Sequence, residues 1–208
     1  MRNALILSAV LLLAAPAFAA DQPPPTPPPS QIPHGSKDYT TAPAGDYNLD
    51  KNHVGVIARV SHLGFSISIF RFGDVDGKLT WDPAAPEKSA LSVTVKTASI
   101  ETNVPKFAEE LAGPKYLNAP AFPDATFVST RFVKTDATHG KVTGNFTLKG
   151  KTKPVTFDVT LIGAGAFFGG HNIGIHAEGM IDPQDYDMGP FFKEPIQLVI
   201  DTEFSHKG

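Results

Sequence analysis

The chain has 208 residues, a formal net charge of −3 and no cysteine. Without cysteine there is no disulfide, no thiolate metal site and no lipid-modified N-terminal Cys, so the fold must rest on a sizeable core. A slightly acidic balance with no basic block argues against nucleic acid as a partner.

At the N-terminus one early charge, Arg2, precedes the apolar run Ala4–Ala15 and the A-x-A pattern Ala17-Phe18-Ala19. This predicts a cleavable secretory signal peptide over 1–19, because the apolar core is shorter than the roughly 20 residues of a spanning helix. The expected destination is the periplasm. Residues 20–45 carry two Pro triplets and almost no large apolar side chain. Such a segment buries too little surface to offset its ordering entropy, so an extended linker is expected, serving as a spacer rather than a docking peptide.

From Asp46 onward the hydrophobic period is two. Val54, Val56, Ala58 and Val60 alternate with polar or outward residues, and His62 falls in phase with them. The same alternation runs through Leu91-Val93-Val95, Val142-Gly144-Phe146-Leu148, Val155-Phe157-Val159-Leu161 and Ile196-Leu198-Ile200-Thr202-Phe204. Half-buried antiparallel strands give this pattern. Turn signals are read at Asp76-Gly77, His139-Gly140 and Lys149-Gly150-Lys151. Only Val104–Leu111 reads as a helix or irregular excursion, stopped by Gly113-Pro114.

Many strands without amphipathic helices to cover a sheet close into a barrel or stack as a sandwich. Ala58, Gly144, Ala177 and Gly179 on the inward face are expected to leave room, which favours an eight-stranded antiparallel β-barrel with an apolar interior cavity. The tripeptide Gly150-Lys151-Thr152 imitates the end of a phosphate-binding loop. Five residues separate Gly144 from Gly150 where four are required, and a strand follows where a helix is required. It is therefore read as a hairpin turn whose Lys149, Lys151 and Lys153 are solvated charges.

The order of motifs across 46–206 resembles the YceI-like family. Asp50-x-x-His53 followed by Val56-x-Ala58-x-Val60-x-His62 is similar to its opening signature. Phe72-x-x-Val75-x-Gly77-x-Leu79-x-x-Asp82, Ser99-Ile100-x-Thr102 and Phe122-Pro123-x-x-Thr126-Phe127-x-Ser129 match later motifs. Gly144-x-Phe146-Thr147-Leu148-x-Gly150-x-Thr152-Lys153-Pro154-Val155 is the most recognisable of them. The chain departs from the pattern at Val54, at Phe70 and at Pro183-Gln184-Asp185-Tyr186-Asp187, where the family has R-x-D-[FY]-G.

The resemblance implies a lipocalin-like barrel of the periplasm that carries a polyisoprenoid, quinone-like or fatty-acyl chain, with no cofactor beyond that lipid. The residues expected against the ligand are Val56, Ala58, Val60, His62, Phe65, Phe72, Leu79, Val93 and Val95 in the first half of the domain. In the second half they are Phe127, Phe146, Leu148, Phe157, Val159, Ile175, Ala177, Leu198 and Ile200. His62 is read either as a headgroup partner or as a core histidine bonded to a neighbouring strand.

His53 lacks an H-x-H or H-x-x-x-H partner, and Asp74-x-Asp76-Gly77 lacks the distant Glu of a calcium loop, so no metal is expected. Tyr186–Phe192 is read either as a lid or as cover for a barrel end. No catalytic constellation stands out, so the chain is expected not to be an enzyme. The alternatives are a lipid isomerase or cyclase on the same barrel, and a stress-response interaction module. A homodimer is left open, and no membrane-spanning segment is expected in the mature chain.

Overall fold

The computed structural model describes residues 32–207; the expected signal peptide and residues 20–31 lie outside the described residues. The strands are β1 (Gly45–His62), β2 (Ser66–Phe72), β3 (Val75–Trp81), β4 (Ala90–Lys96) and β5 (Ile100–Glu101), then β6 (Asp124–Lys134), β7 (His139–Leu148), β8 (Lys151–Phe167), β9 (Gly170–Ile181) and β10 (Ile196–Lys207). A short helix, α1 (Phe107–Ala112), lies between β5 and β6. Among the described residues, no helix is long and apolar enough to cross a membrane.

All pairings are antiparallel, and the order β1-β3-β4-β6-β7-β8-β9-β10 closes where β10 pairs back onto β1. The eight-stranded barrel read from the alternation is present. β1 serves two partners on one side: Gly45–Asn48 pair with β3, and Val56–His62 pair with β2. β2 and β3 thus form one ribbon interrupted at Gly73-Asp74, and β5 adds only to the end of β2. Opposite that interruption the β1–β10 register slips between Leu49 and Val54, where Asp50–His53 bulge out.

Two expected turns are strand residues. Asp76 and Gly77 lie inside β3, paired with Thr94 and Val93. A Cβ on Gly77 would meet Leu49 Cδ1 and Ser92 O at 3.2 Å each, so this glycine serves close strand packing and not a turn. His139-Gly140 opens β7. The turn precedes it, with Asp136 Oδ1 accepting the N–H groups of Thr138 and His139 at 2.8 Å each. Lys149-Gly150 is the hairpin turn expected, with φ of 49° and 72° at its two central residues.

One end of the barrel is closed. α1, the segment after it and residues 182–195 bring Leu111, Tyr116, Leu117, Tyr186 and Met188 into a single core with the lower strand residues. Tyr186 meets Phe146 edge-on at 5.5 Å, and Tyr116 meets Phe192 at 5.4 Å. Tyr186–Phe192 is therefore cover for this end. Asp187 takes the left-handed backbone (φ 50°, ψ 46°) at the position where the family motif carries glycine.

The hairpin lysines are not free solvated charges, as the sequence reading had them. Lys151 pairs with Asp187 at 2.5 Å, Lys153 with Asp185 at 2.8 Å, and Lys149 donates to the Asp187 carbonyl at 2.5 Å. The turn reaches these groups because β7 ends and β8 begins beside the 182–187 segment. A tripeptide resembling a phosphate grip fastens the barrel's floor.

The small inward residues do not all leave room. A Cβ on Gly144 would meet Phe127 Cζ and Val128 O at 2.5 Å, and one on Gly179 would meet Phe157 Cδ1 at 2.7 Å. The two phenyl rings lie over these glycines and meet each other edge-on at 5.3 Å. Large residues on one strand fill the space their neighbours vacate.

At the other end, residues 36–44 strap across the barrel, so ordered packing begins before the expected linker boundary at residue 45. Ser36 and Ala164 exchange backbone hydrogen bonds at 2.8 Å, Lys37 Nζ donates to Leu161 O at 3.0 Å, and Ala42 is fully buried. Tyr47 donates from its hydroxyl to Pro43 O at 2.8 Å.

Gly144→Ala is expected to cost about 1–3 kcal/mol, the range for overpacking a filled interior. Urea denaturation measures it, and an unchanged midpoint would show that Phe127 does not depend on this glycine. Burial pushes the Tyr186 phenol up to about 12, against about 10 when exposed. Below pH 10 the phenol is neutral in folded and unfolded chains alike; between 10 and 12 only the unfolded chain ionises, so stability falls as pH rises through that window. Denaturation midpoints taken across it should decline less steeply in Tyr186→Phe than in the wild type.

Candidate functional site

Above the two phenyl rings the barrel is hollow. The cavity has a volume of about 240 Å³, more than ten times the roughly 10–15 Å³ that one water requires. Its walls come from all eight ring strands: Leu49, Val54 and Val56 (β1), Val75 and Leu79 (β3), Leu91, Val93 and Val95 (β4), Phe127 and Phe132 (β6), Val142 and Phe146 (β7), Phe157, Val159 and Leu161 (β8), Ile173, Ile175 and Ala177 (β9), and Leu198, Ile200, Thr202 and Phe204 (β10). The period-two rule places most of these side chains inward. The register shifts at Leu49/Val54 and Ser129/Arg131 reset the phase, so that Leu49 and Val54, and Phe127 and Phe132, share the interior.

Of the residues expected against a ligand, Val56, Leu79, Val93, Val95, Phe127, Phe146, Phe157, Val159, Ile175, Ala177, Leu198 and Ile200 line this cavity. Ala58, Val60 and Leu148 are buried in the packed half instead. Phe72 is half-buried against both core clusters.

His62 and Phe65 lie elsewhere. His62 is exposed at the end of β1, paired with Ser66, and Phe65 at the hairpin tip is 88% exposed. Neither reading of His62 describes this position. β1 runs on past the barrel wall, and beyond that point the inward phase of its alternation points at no interior.

Several lining residues were not singled out from sequence. Leu91, Val142, Leu161 and Phe204 continue the same alternation as their chosen neighbours, and Trp81 continues Val75-Gly77-Leu79. Tyr39 carries no such signal, because it belongs to the strap and not to a strand.

The mouth is bounded by Tyr39, Trp81, Pro86 and the β6–β7 hairpin from Lys134 to Lys141. Lys134 Nζ donates to Tyr39 Oη at 2.6 Å and lies 4.4 Å from that ring's centroid. Tyr39 in turn meets Trp81 edge-on at 6.1 Å. Backbone N–H bonding from Thr138, together with the His139 ring, holds the Asp136 carboxyl down to about 2. Lys141 pairs with Asp158. Among the described residues, the cavity's titratable side chains (Tyr39, Lys134, Asp136, His139 and Lys141) all sit at this rim.

Other titratable clusters lie on the outer surface. Ligand-capable atoms of Asp50, His53 and Glu203 come within 4.8 Å of one another at the β1 bulge. His53 Nδ1 is engaged by Asp50 Oδ2 at 2.9 Å, and that hydrogen bond raises the imidazole pKa. Sequence spacing could not show this grouping, since Glu203 arrives from β10.

On β9 and β10, His176 Nδ1 meets Asp201 Oδ1 at 2.8 Å and its Nε2 meets Glu178 Oε1 at 3.2 Å. The Asp201 hydrogen bond is the chief cause that raises the His176 pKa, against the opposing effect of partial burial. Protonated His176 is therefore favoured in the fold. Its contribution to stability is present below the ordinary value near 6.5 and is lost as pH rises through the raised one. An NMR titration should place His176 above the ordinary histidine value, and Asp201→Asn should move it back down.

Comparison with known proteins places the fold among relatives. The YceI-like domain model matches residues 47–204. A UPF0312 protein of Enterobacter sp. (strain 638) is 40% identical over 178 residues, which cover 81% of this chain and 92% of the relative. The crystal structure of the Campylobacter jejuni YCEI protein is 28% identical with a TM-score of 0.65, covering 72% of this chain and 91% of that one. A domain from Saccharophagus degradans, described as polyisoprenoid binding, shares the fold at 11% identity with a TM-score of 0.52, covering 78% of this chain and 98% of that domain.

Proposed function

The chain belongs to the YceI-like family, and on that premise we propose that it is an exported carrier holding one long apolar molecule in the hollow half of its barrel. The cargo class is a polyisoprenoid, quinone-like or fatty-acyl chain. The observation that carries this reading is the cavity itself: apolar walls from all eight ring strands, a floor sealed by aromatic rings, and polar groups gathered at one mouth.

Binding follows from removing apolar surface from water. A tail burying roughly 300 Å² gains about 7 kcal/mol at ~25 cal/mol per Å² before the cost of association. Packing along the tail sets little preference among chains of similar width. The walls are predominantly apolar and the titratable side chains gather at the rim, an arrangement suited to holding a tail. The polyisoprenoid-binding description of the Saccharophagus domain agrees in ligand class. Export to the periplasm rests on the signal pattern over 1–19.

Native mass spectrometry of freshly purified protein tests the proposal. The expected result is a non-covalent adduct whose extracted mass is a long-chain isoprenoid or acyl lipid. Filling the cavity with Val93→Phe and Ala177→Phe together should lower occupancy about tenfold or more while the denaturation midpoint stays level or rises. Wild-type protein that carries no adduct and takes up no long-chain lipid would sink the carrier reading.

A further inference from the structure

At the mouth, three hydrogen-bond donors have capacity left over. Trp81, the chain's only tryptophan, lines the cavity, and its indole Nε1 is sealed from solvent with no hydrogen-bond partner among the described residues. An indole N–H can only donate, and burying it without an acceptor is costly. Tyr39 lies against Trp81, and its oxygen already accepts from Lys134. Its own O–H is thereby left as a second donor. Lys134 supplies a third, and it forms no ion pair with any carboxylate among the described residues.

The carboxylates nearby already hold donors of their own. Asp136 is occupied by its own turn, accepting from Thr138 N and His139 N. Asp158, beside the rim, is taken by Lys141.

We propose that Trp81, Tyr39 and Lys134 form a headgroup subsite that receives an oxygen acceptor, a carboxylate or a quinone-type carbonyl, at the polar end of the cargo. This rests on the carrier reading above, since the cavity orients the tail inward and leaves the head at the mouth. A cationic head is disfavoured twice over: it meets the Lys134 charge, and it brings no acceptor for the indole. The subsite is built from the strap, the end of β3 and the end of β6, so no single strand's alternation encodes it.

Because Trp81 is the sole tryptophan, its emission reads the mouth directly. Delipidated full mature chain is titrated at neutral pH with stearic acid, decylubiquinone and stearylamine, each kept below its aggregation concentration. The acid and the quinone are expected to shift Trp81 emission, and the acid to bind about tenfold tighter than the amine of equal chain length.

Calorimetry then compares Trp81→Phe, which keeps an apolar ring but removes the N–H, with Lys134→Gln, a surface change that does not threaten folding. Each should weaken stearate about five- to tenfold, as loss of one donor to a buried or charged acceptor does. A quinone head should feel Trp81→Phe more than Lys134→Gln, whereas a carboxylate should feel both. Equal affinity for acid and amine, unmoved by either variant, would overturn the subsite and leave the carrier reading standing. Failure of all three chains to bind would overturn both.

Discussion

The seam between β1 and β10 is the pairing on which the rest of this structure depends. Val54–Arg59 hydrogen-bond across to Thr202–Gln197, and Asn48-Leu49 pair with Ser205-Phe204. Without that ladder the sheet would carry two raw edges, and Val56, Leu198 and Ile200 would face water from one side. With it, the first and last strands of the domain become neighbours, and an inside exists. Eight strands give an interior only wide enough for side chains or one slender guest. From there, side-chain size decides locally whether the interior is solid or hollow.

That decision divides the barrel lengthwise. In the lower half Phe127 and Phe157 swing over Gly144 and Gly179, and Tyr186, Tyr116 and Leu111 complete a packed plug. The plug is fastened from outside by the Lys149–Lys153 hairpin, whose ammonium groups engage Asp185 and the Asp187 carboxylate and carbonyl. Each exposed pair contributes little alone. The buried aromatic contacts beneath them supply most of the hold, and the lysines fix which segment lies there. In the upper half Val, Leu and Ile side chains, with the rings of Phe132 and Phe204, wall the hollow. One closed end and one open end follow, so a bound molecule has a single way in, and the polar groups at that mouth acquire a role.

The alternation was enough to predict an all-β fold and most of the cavity wall, because a period of two is a local property of each strand. The choice of barrel over sandwich came from the small inward residues. The alternation misled where the chain's neighbours change along a strand. β1 keeps its alternation to His62, but the interior ends before His62 does, so an in-phase residue stands in solvent. Asp76-Gly77 has turn chemistry, yet its glycine answers to Leu49 and the Ser92 carbonyl across the ladder. Family resemblance identified the Gly144–Val155 hairpin and its turn but not its ionic partners, which sit on a loop more than thirty residues later. Tyr39 lay in a proline-rich stretch that reads as spacer, since its buried contacts are all with distant strands.

What the sequence determined by itself was the strand pattern, the order of family motifs and the inward set of apolar residues, all of which follow from spacing along the chain. The tertiary structure alone decided which half of the barrel is filled, which end is open and which donors meet at the mouth. Those depend on rings reaching across strands and on a strap crossing the barrel end, distances through space that no local period records. Gly150-Lys151-Thr152 shows the boundary between the two. Its turn is legible from glycine's backbone freedom, and its work as the clasp of a closed end appears only once Asp185 and Asp187 arrive beside it.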